Sequence, residues 1–427
     1  MLKQKHRLTF SVPFICLIFA ISIISFAFAA SATSSRVTTV NPGGSIQEAI
    51  NNADEGDTII VKSGTYHEWP IVVNKTLTII GESLENTIIE GNGEADVLFQ
   101  VVASNVAIEN FTLQKTDVSF SVQGTAIRIS KAINVKVSDV YTKDTFCGIE
   151  LLSSNLTKVA GCKISSSMAY GVNIHDKSVN NTFVANTIAN NSIGVSIADS
   201  ASQYNTFYHN NFINNTSQAS VMSLNYFDNG YPSGGNFWSD HIKTDLKHGV
   251  YQNESGSDGI VDENYLGDRY PLANPLTSLE VCVNGEQFEV EVSTNSSLNS
   301  YAFNFEEKCL TLFSGGVDGT VGSCRVSIPK RLLSCDSPSQ WNITLSNSEQ
   351  LTYLASEDGE RAYLYFTYNQ SYSIEVEIRG TSVVPEFPCF SMLLCLLGII
   401  FILIILFPAR FLSKDLLKAS ARIRIAN

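Results

Sequence analysis

Six side chains fall at intervals that would gather them on one surface: Arg128, Glu150, Asn173, His175, Asp176 and Asp199. Each lies in or just after a short unit built from a small residue and two apolar residues flanking a polar one. The units are Ala126–Ile129, Gly148–Leu151, Gly171–Ile174 and Gly194–Ile197, and their starts are 22, 23 and 23 residues apart. Successive side chains of a strand point to opposite faces. The central residues Arg128, Glu150, Asn173 and Ser196 therefore face away from the apolar pairs. Ser130, Leu152, His175 and Ala198 lie one step further along that face, followed by Lys131, Ser153, Asp176 and Asp199. Strands stacked about 4.8 Å apart would turn these positions into a shallow polar patch suited to an extended polysaccharide. Paired carboxylates on such a patch could serve hydrolysis. The plainer reading is an ion pair between Arg128 and Glu150 on a solvated face. The catalytic candidates are Arg128, Glu150, His175 and Asp176, and the ligand-contact candidates are Asn173 and Asp199.

What must position these groups is a repeat. A second series of apolar pairs keeps nearly the same beat: Ile108/Leu113, Val137/Val140, Val159/Ile164, Phe183/Ile188 and Phe207/Phe212, with first members 29, 22, 24 and 24 residues apart. Self-similarity at this period signals a solenoid, and alternation of period two makes its elements strands. The leucine-and-asparagine framework of leucine-rich repeats is absent, and no helical segment fits between the strands. A parallel β-helix of 22–24 residues per coil remains. Asparagines recur in register, Asn181 with Asn205, Asn190 with Asn214 and Asn191 with Asn215. Asn tolerates left-handed backbone and its side chain satisfies turn amides, so this ladder is a corner device.

The chain has 427 residues and a formal net charge of −13. That length suffices for more than one domain, and the acidic balance argues against a nucleic-acid partner, whose footprint is basic. Residues 1–30 combine Lys3, Lys5 and Arg7 with an apolar run and Ala27-Phe28-Ala29, the pattern of a secretory signal peptide. Eleven Asn-x-Ser/Thr sequons, from Asn74 to Asn369, suit a glycosylated exterior.

Residues Ser45–Ala53 (SIQEAINNA) place Ile46, Ala49 and Ile50 on one helical face. This predicts a helix that covers the open first coil, since an uncovered edge invites aggregation. Short strands are expected to follow at Asp57–Val61, Ile71–Val73, Leu77–Ile80, Thr87–Ile89 and Val97–Val101.

The run SIQEAINNADEGDTIIVKSGTYHE, then NKTLTIIGE and the coils, resembles right-handed parallel β-helix proteins of the NosD-like type, within the wider pectate-lyase-like superfamily. NYFDNGYPSGGNFWSDH, SDGIVDENY and DRYPL resemble their closing segment, so the likeness covers roughly residues 37–276. It implies the fold. It also implies two activities as alternatives. One is copper-site accessory work, for which the chain beyond the signal segment offers only His67, His175, His209, His241 and His248. The other is carbohydrate chemistry, in which carboxylates hold Ca²⁺ against a uronate while a basic residue removes a proton. No run reproduces an active-site signature of those lyases or hydrolases.

A second acidic cluster comprises Asp240, Asp258, Asp262, Glu263 and Asp268, with the aromatics Phe237, Trp238, Tyr265 and Tyr270 close in sequence. Oxygen-rich loops bind Ca²⁺. Asp240, Asp258, Asp262 and Asp268 are therefore candidates for a structural Ca²⁺ site, and Trp238 and Tyr265 for stacking on a sugar. The alternative is a loop that closes the last coil with the aromatics as its core. No other cofactor is required.

From 279 to 381 the pattern changes to about eight longer alternating strands, a β-sandwich signature. It carries Cys282, Cys309, Cys324 and Cys335. Exported cysteines favour disulfides. If Ser314–Thr320 is a hairpin turn, Cys309 pairs with Cys324 and Cys282 with Cys335, one of three connectivities. Cys147 and Cys162 read as buried thiols. A linker (382–389) containing Pro385-Glu386-Phe387 leads to an uncharged apolar segment (390–408) long enough to span a bilayer. A basic tail (409–427) then orients everything before it outward. The Pro-Glu-Phe element resembles archaeal sorting signals, which a sortase-like enzyme processes.

The sequence thus predicts an all-β chain. It comprises a signal peptide (1–30), a right-handed parallel β-helix with a capping helix (31–278), an antiparallel β-sandwich (279–381) and one transmembrane helix. The expected function is binding of polysaccharide or another surface component at the cell surface. A lyase or hydrolase on the solenoid face and a copper accessory protein are the alternatives.

Overall fold

The computed structural model describes residues 35–346 and 348–383. The expected signal peptide, Pro-Glu-Phe element, transmembrane helix and basic tail lie outside them. Among the described residues no helix is long and apolar enough to cross a membrane.

The chain divides into two compact units. The first holds residues up to Asn229, then Gly235–His241 and Tyr265–Asp268. The second holds Gly230–Gly234, Ile242–Asn264 and the chain from Arg269 onward. The excursion Ile242–Asn264 thus groups with the second unit, not with the solenoid as the expected boundary at 278 implied.

The first unit is a parallel β-solenoid, and the period follows from its registers. Strands Ile71–Val73, Val97–Val101, Thr125–Ser130, Thr145–Leu152, Ser167–His175, Ile193–Ile197 and Ser217–Val221 pair in parallel, in chain order, as one seven-stranded sheet. The remaining sides form a 14-stranded sheet, in which Ala107–Thr116 and Lys136–Lys143 run continuously around a corner. Asn110 and Asp139 take positive φ at those bends.

Inward apolar residues stack coil upon coil into one core, including Ile127, Ile149, Val172 and Val195. Aromatic stacks continue it, with Phe183 on Phe207 at 4.8 Å and Phe207 on Phe227 at 5.0 Å. The small residue opening each unit has a steric cause. A Cβ on Gly148 would lie 2.6 Å from the carbonyl oxygen of Gly171, and one on Gly171 would lie 2.7 Å from that of Gly194.

Asparagines close the corners, in two kinds. Asn190 and Asn214 are exposed and left-handed, at φ 57° and 52°. Asn181, Asn186 and Asn191 are buried, and each Nδ2 donates to the Oδ1 of the Asn 24 residues on, at 2.8, 2.9 and 3.0 Å. The middle ladder, Asn186 with Asn210, escaped the sequence reading although its five-residue offset from the other two was visible. Every buried amide here is satisfied, as low-dielectric burial demands.

The helix Ile46–Asn52 caps the first coil and buries Ile46 and Ile50. Ser45 is its N-cap, and Glu68 accepts from the amides of Ile46 (2.7 Å) and Gln47 (3.0 Å).

In the second unit a five-stranded and a four-stranded antiparallel sheet share one apolar core. The expected disulfides are not formed: the six cysteines among the described residues are free. The reason is topological. Cys309 lies on the strand Cys309–Gly315, which pairs within the four-stranded sheet, whereas Cys324 lies on Val321–Pro329 in the five-stranded one. The segment between them crosses from sheet to sheet and is not a hairpin, so the premise of the pairing Cys309–Cys324 with Cys282–Cys335 fails.

Candidate functional site

The seven-stranded sheet puts one outward residue per coil in register: Val72, Gln100, Arg128, Glu150, Asn173, Ser196 and Ser220. The row predicted from Arg128 to Ser196 is therefore real, and it extends two coils earlier than the sequence indicated. Those first coils lack the small opening residue that marked the others.

At its centre is a charge network. Arg128 Nε donates to Glu150 Oε2 at 2.6 Å, and Arg128 Nη2 donates to Thr125 Oγ1 at 3.2 Å. His175 Nε2 shares a hydrogen bond with Glu150 Oε1 at 3.0 Å, and its Nδ1 lies 3.6 Å from Asp176 Oδ2. Glu150 is thus held on both oxygens. Burial pushes its carboxyl up, but the bonds from His175 and Arg128 outweigh this and hold it below its ordinary value. The bond to Glu150 raises the His175 imidazole, against the opposing effect of burial.

The four catalytic candidates are brought together, and their mutual pairing is the ion-pair arrangement of the plainer reading, with His175 added. Asn173 lies beside them, half-buried. The side chains of Gln100 and Asn173 have no hydrogen-bond partner among the described residues.

The other expected site residues serve structure. Asp199 Oδ1 accepts from the amides of Ala201 and Ser202 at 2.8 Å, so its carboxylate staples a turn. Trp238 is 1% exposed, stacks on Phe212 at 4.2 Å and donates Nε1 to Asp268 Oδ2 at 2.9 Å. Burial removes it as a sugar platform. Tyr265 stacks on His241 at 4.4 Å and donates its hydroxyl to Asp240 Oδ2 at 2.8 Å. Burial and that bond push its phenol up to about 12. These aromatics are the core of the closing coil.

The four aspartates expected to form a Ca²⁺ site are not one cluster. Asp240 and Asp268 belong to the first unit, and Asp258 and Asp262 to the second. Asp268 is buried and engaged by Asn236 and Trp238. Asp262 accepts from the amides of Leu246 and Lys247, and Asp258 accepts from Ile260 N and Gln252 Nε2. Among the described residues no group of three or more His, Cys, Asp or Glu could hold a metal ion.

A feature the sequence reading passed over borders the row. Residues 117–124 form a loop between the strands Ala107–Thr116 and Thr125–Ser130, closed by Gly124 N to Asp117 O at 2.8 Å and Gln123 N to Ser119 O at 2.9 Å. Its signal was the single spacing of 29 residues among spacings of 22–24. It carries the exposed residues Val118, Phe120 and Val122.

This fold and surface define the class: a right-handed parallel β-helix with a polar outward ladder. Residues 50–242 match the family model described as periplasmic copper-binding protein (NosD), and the solenoid is NosD-like. No curated protein matches the sequence. Among solved structures, the chain is similar to pectate lyase Pel9A at 15% identity and a TM-score of 0.38, over 49% of this chain and 59% of that one. It is also similar to a GH87 alpha-1,3-glucanase catalytic domain in complex with tetrasaccharides, at 16% identity and a TM-score of 0.33, over 55% and 45%. A pectin methylesterase in complex with a hexasaccharide aligns at 15% identity and a TM-score of 0.32, over 48% and 74%. The chain thus spans less than two thirds of the lyase and of the glucanase. The residues here do not fit copper: His175 is bonded to Glu150, His241 is stacked on Tyr265, and no donor cluster forms among the described residues.

Proposed function

We propose that this chain is a cell-surface protein that binds polysaccharide along the seven-stranded face of its solenoid. The observation that carries the reading is the outward row itself. At one-coil spacing it presents the unpartnered amides of Gln100 and Asn173 on either side of a self-neutralised Arg128–Glu150–His175 network. Carboxamides with unused donors and acceptors suit hydroxyl-rich ligands, and a flat ladder suits an extended one. Because Glu150 is held on both oxygens, it is better placed to order the surface than to move protons, which favours binding over catalysis. The signal segment, the apolar run 390–408 and the basic tail support export and anchorage at the membrane.

The test offers the full-length chain, purified in detergent, to immobilised neutral and acidic polysaccharides. Saturable retention that falls in a Gln100→Ala/Asn173→Ala double variant is expected. Failure to retain any of the polysaccharides would overturn the reading. New chain ends released from one of them would replace binding by turnover.

A further inference from the structure

We infer that the Phe120 loop is a sugar-stacking subsite and that the ligand is a neutral hexopyranose chain, not a polyuronate. This rests on the binding reading above and extends it.

Phe120 is 70% exposed, although its ring packs edge-on against the buried Phe146 at 5.2 Å and 87°. Phe146 in turn packs against Tyr170 at 6.2 Å. A phenylalanine that merely anchored a loop would bury its ring. This one is braced by one edge and leaves most of its surface open. The loop beneath it is ordered by its own bonds, with Ser119 N donating to Asp117 Oδ1 at 2.6 Å and Thr116 Oγ1 to Gly124 O at 2.8 Å. The platform is therefore preorganised, which lowers the cost of binding. Scattered exposed apolar residues are ordinary, but here Val118, Phe120 and Val122 share one inserted loop.

The loop is continuous with the polar row. It ends at Thr125, whose hydroxyl accepts from Arg128 and contacts Glu150 Oε2 at 3.5 Å. A ligand on the row thus has an apolar ring at its flank. The C–H face of a pyranose matches the negative face of a benzene ring, and its hydroxyls match Gln100 and Asn173.

Charge selects among sugars. Arg128 and His175 are already bound to Glu150, Asp176 is exposed on the same face, and the chain carries a net charge of −13. A polyuronate would meet Asp176 and an acidic chain where Arg128 and His175 are already spent on Glu150, leaving the exposed Lys131 and Lys177 to offset the repulsion.

The experiment measures retention of the full-length chain and its variants on immobilised glucan, mannan, polygalacturonate and alginate. Phe120→Ala should raise Kd for the retained neutral polymer about five- to ten-fold, and Phe120→Trp should restore it. Phe120 is exposed, so both variants keep the fold. If Phe120→Ala binds as wild type while Gln100→Ala/Asn173→Ala loses binding, this subsite is wrong and the binding reading stands. Retention on the polyuronates alone overturns the ligand class. Retention on none overturns both proposals. A change of oligomeric state on Phe120→Ala, with glycan binding unaltered, would make the loop a self-association surface and overturn the subsite.

Discussion

Arg128 and Glu150, on adjacent coils and 22 residues apart, meet at 2.6 Å, Nε to Oε2, on the outer face of the solenoid. The contact is vertical, across a parallel register that sets Ile127 against Ile149 and Ile129 against Leu151 on the inner face. Packing inside and pairing outside thus fix the same register. A one-residue slip would break both.

The pair and His175 give the face a pH signature. The imidazole is raised in the folded chain, so its contribution to stability is complete below its ordinary value of 6.5 and is lost as pH rises through the raised value. Glu150 is lowered, so its contribution is present above 4.5 and is lost as pH falls through the lowered value. Stability from this network should therefore be flat between pH 4.5 and 6.5 and decline on either side. Denaturant midpoints measured across pH should show the alkaline decline disappear in His175→Gln. If the variant keeps the wild-type profile above pH 6.5, the His175–Glu150 bond is not the source.

Glu150→Gln removes the charge that both partners need, on a side chain only 14% exposed. The carboxamide keeps one acceptor and sets a donor against the other partner, which costs about 1–3 kcal/mol. A denaturation midpoint lowered to that extent, with both the acid and the alkaline decline weakened, is expected. An unchanged midpoint would mean that solvent replaces the carboxylate at no cost.

Much of this was legible in the sequence because a solenoid repeats its physics. Ile127, Ile149, Val172 and Val195 must stack, so their spacing exposes both the period and the outward row beside them. The row's first members, Val72 and Gln100, were hidden because their coils open differently. Trp238, Asp258, Asp262 and Asp268 misled for another reason. Carboxylates and aromatics in loops have the same composition whether they meet a ligand or their own backbone, and only three-dimensional partners decide. The Phe120 loop was legible only as an irregular spacing.

The buried asparagines should be far more sensitive than the exposed ones. Asn186 is fully buried: its Oδ1 accepts from Cys162 N at 2.9 Å, and its Nδ2 donates to Val159 O at 3.0 Å and to Asn210 Oδ1 at 2.9 Å. Asn186→Ala orphans several groups together and should cost about 3 kcal/mol or more. Asn190→Ala loses only an exposed left-handed residue, at about 1 kcal/mol. Equal losses in equilibrium unfolding would contradict the ladder.

A single methyl at Gly171 should be severe. Its Cβ would stand 2.7 Å from Gly194 O and 2.8 Å from Asn191 Nδ2. Neither neighbour can yield cheaply. Gly194 O belongs to the strand Ile193–Ile197, pinned by the register Val172 with Val195 and Ile174 with Ile197, and Asn191 Nδ2 is committed to Ile164 O and Asn215 Oδ1. Relief requires the coils to separate, which strains every pairing above and below, so the cost should reach or exceed the ~1–3 kcal/mol usual for overpacking. Ala126 opens the same row and is fully buried there, so the demand is positional and not a general aversion to methyl groups. Gly171→Ala should therefore lower the thermal midpoint sharply or abolish soluble expression. Gly93→Ala, whose Cβ meets nothing within 4 Å, should cost only the strain of its positive φ. Comparable melting of the two variants would show that coil-to-coil backbone contact does not set the small-residue rule.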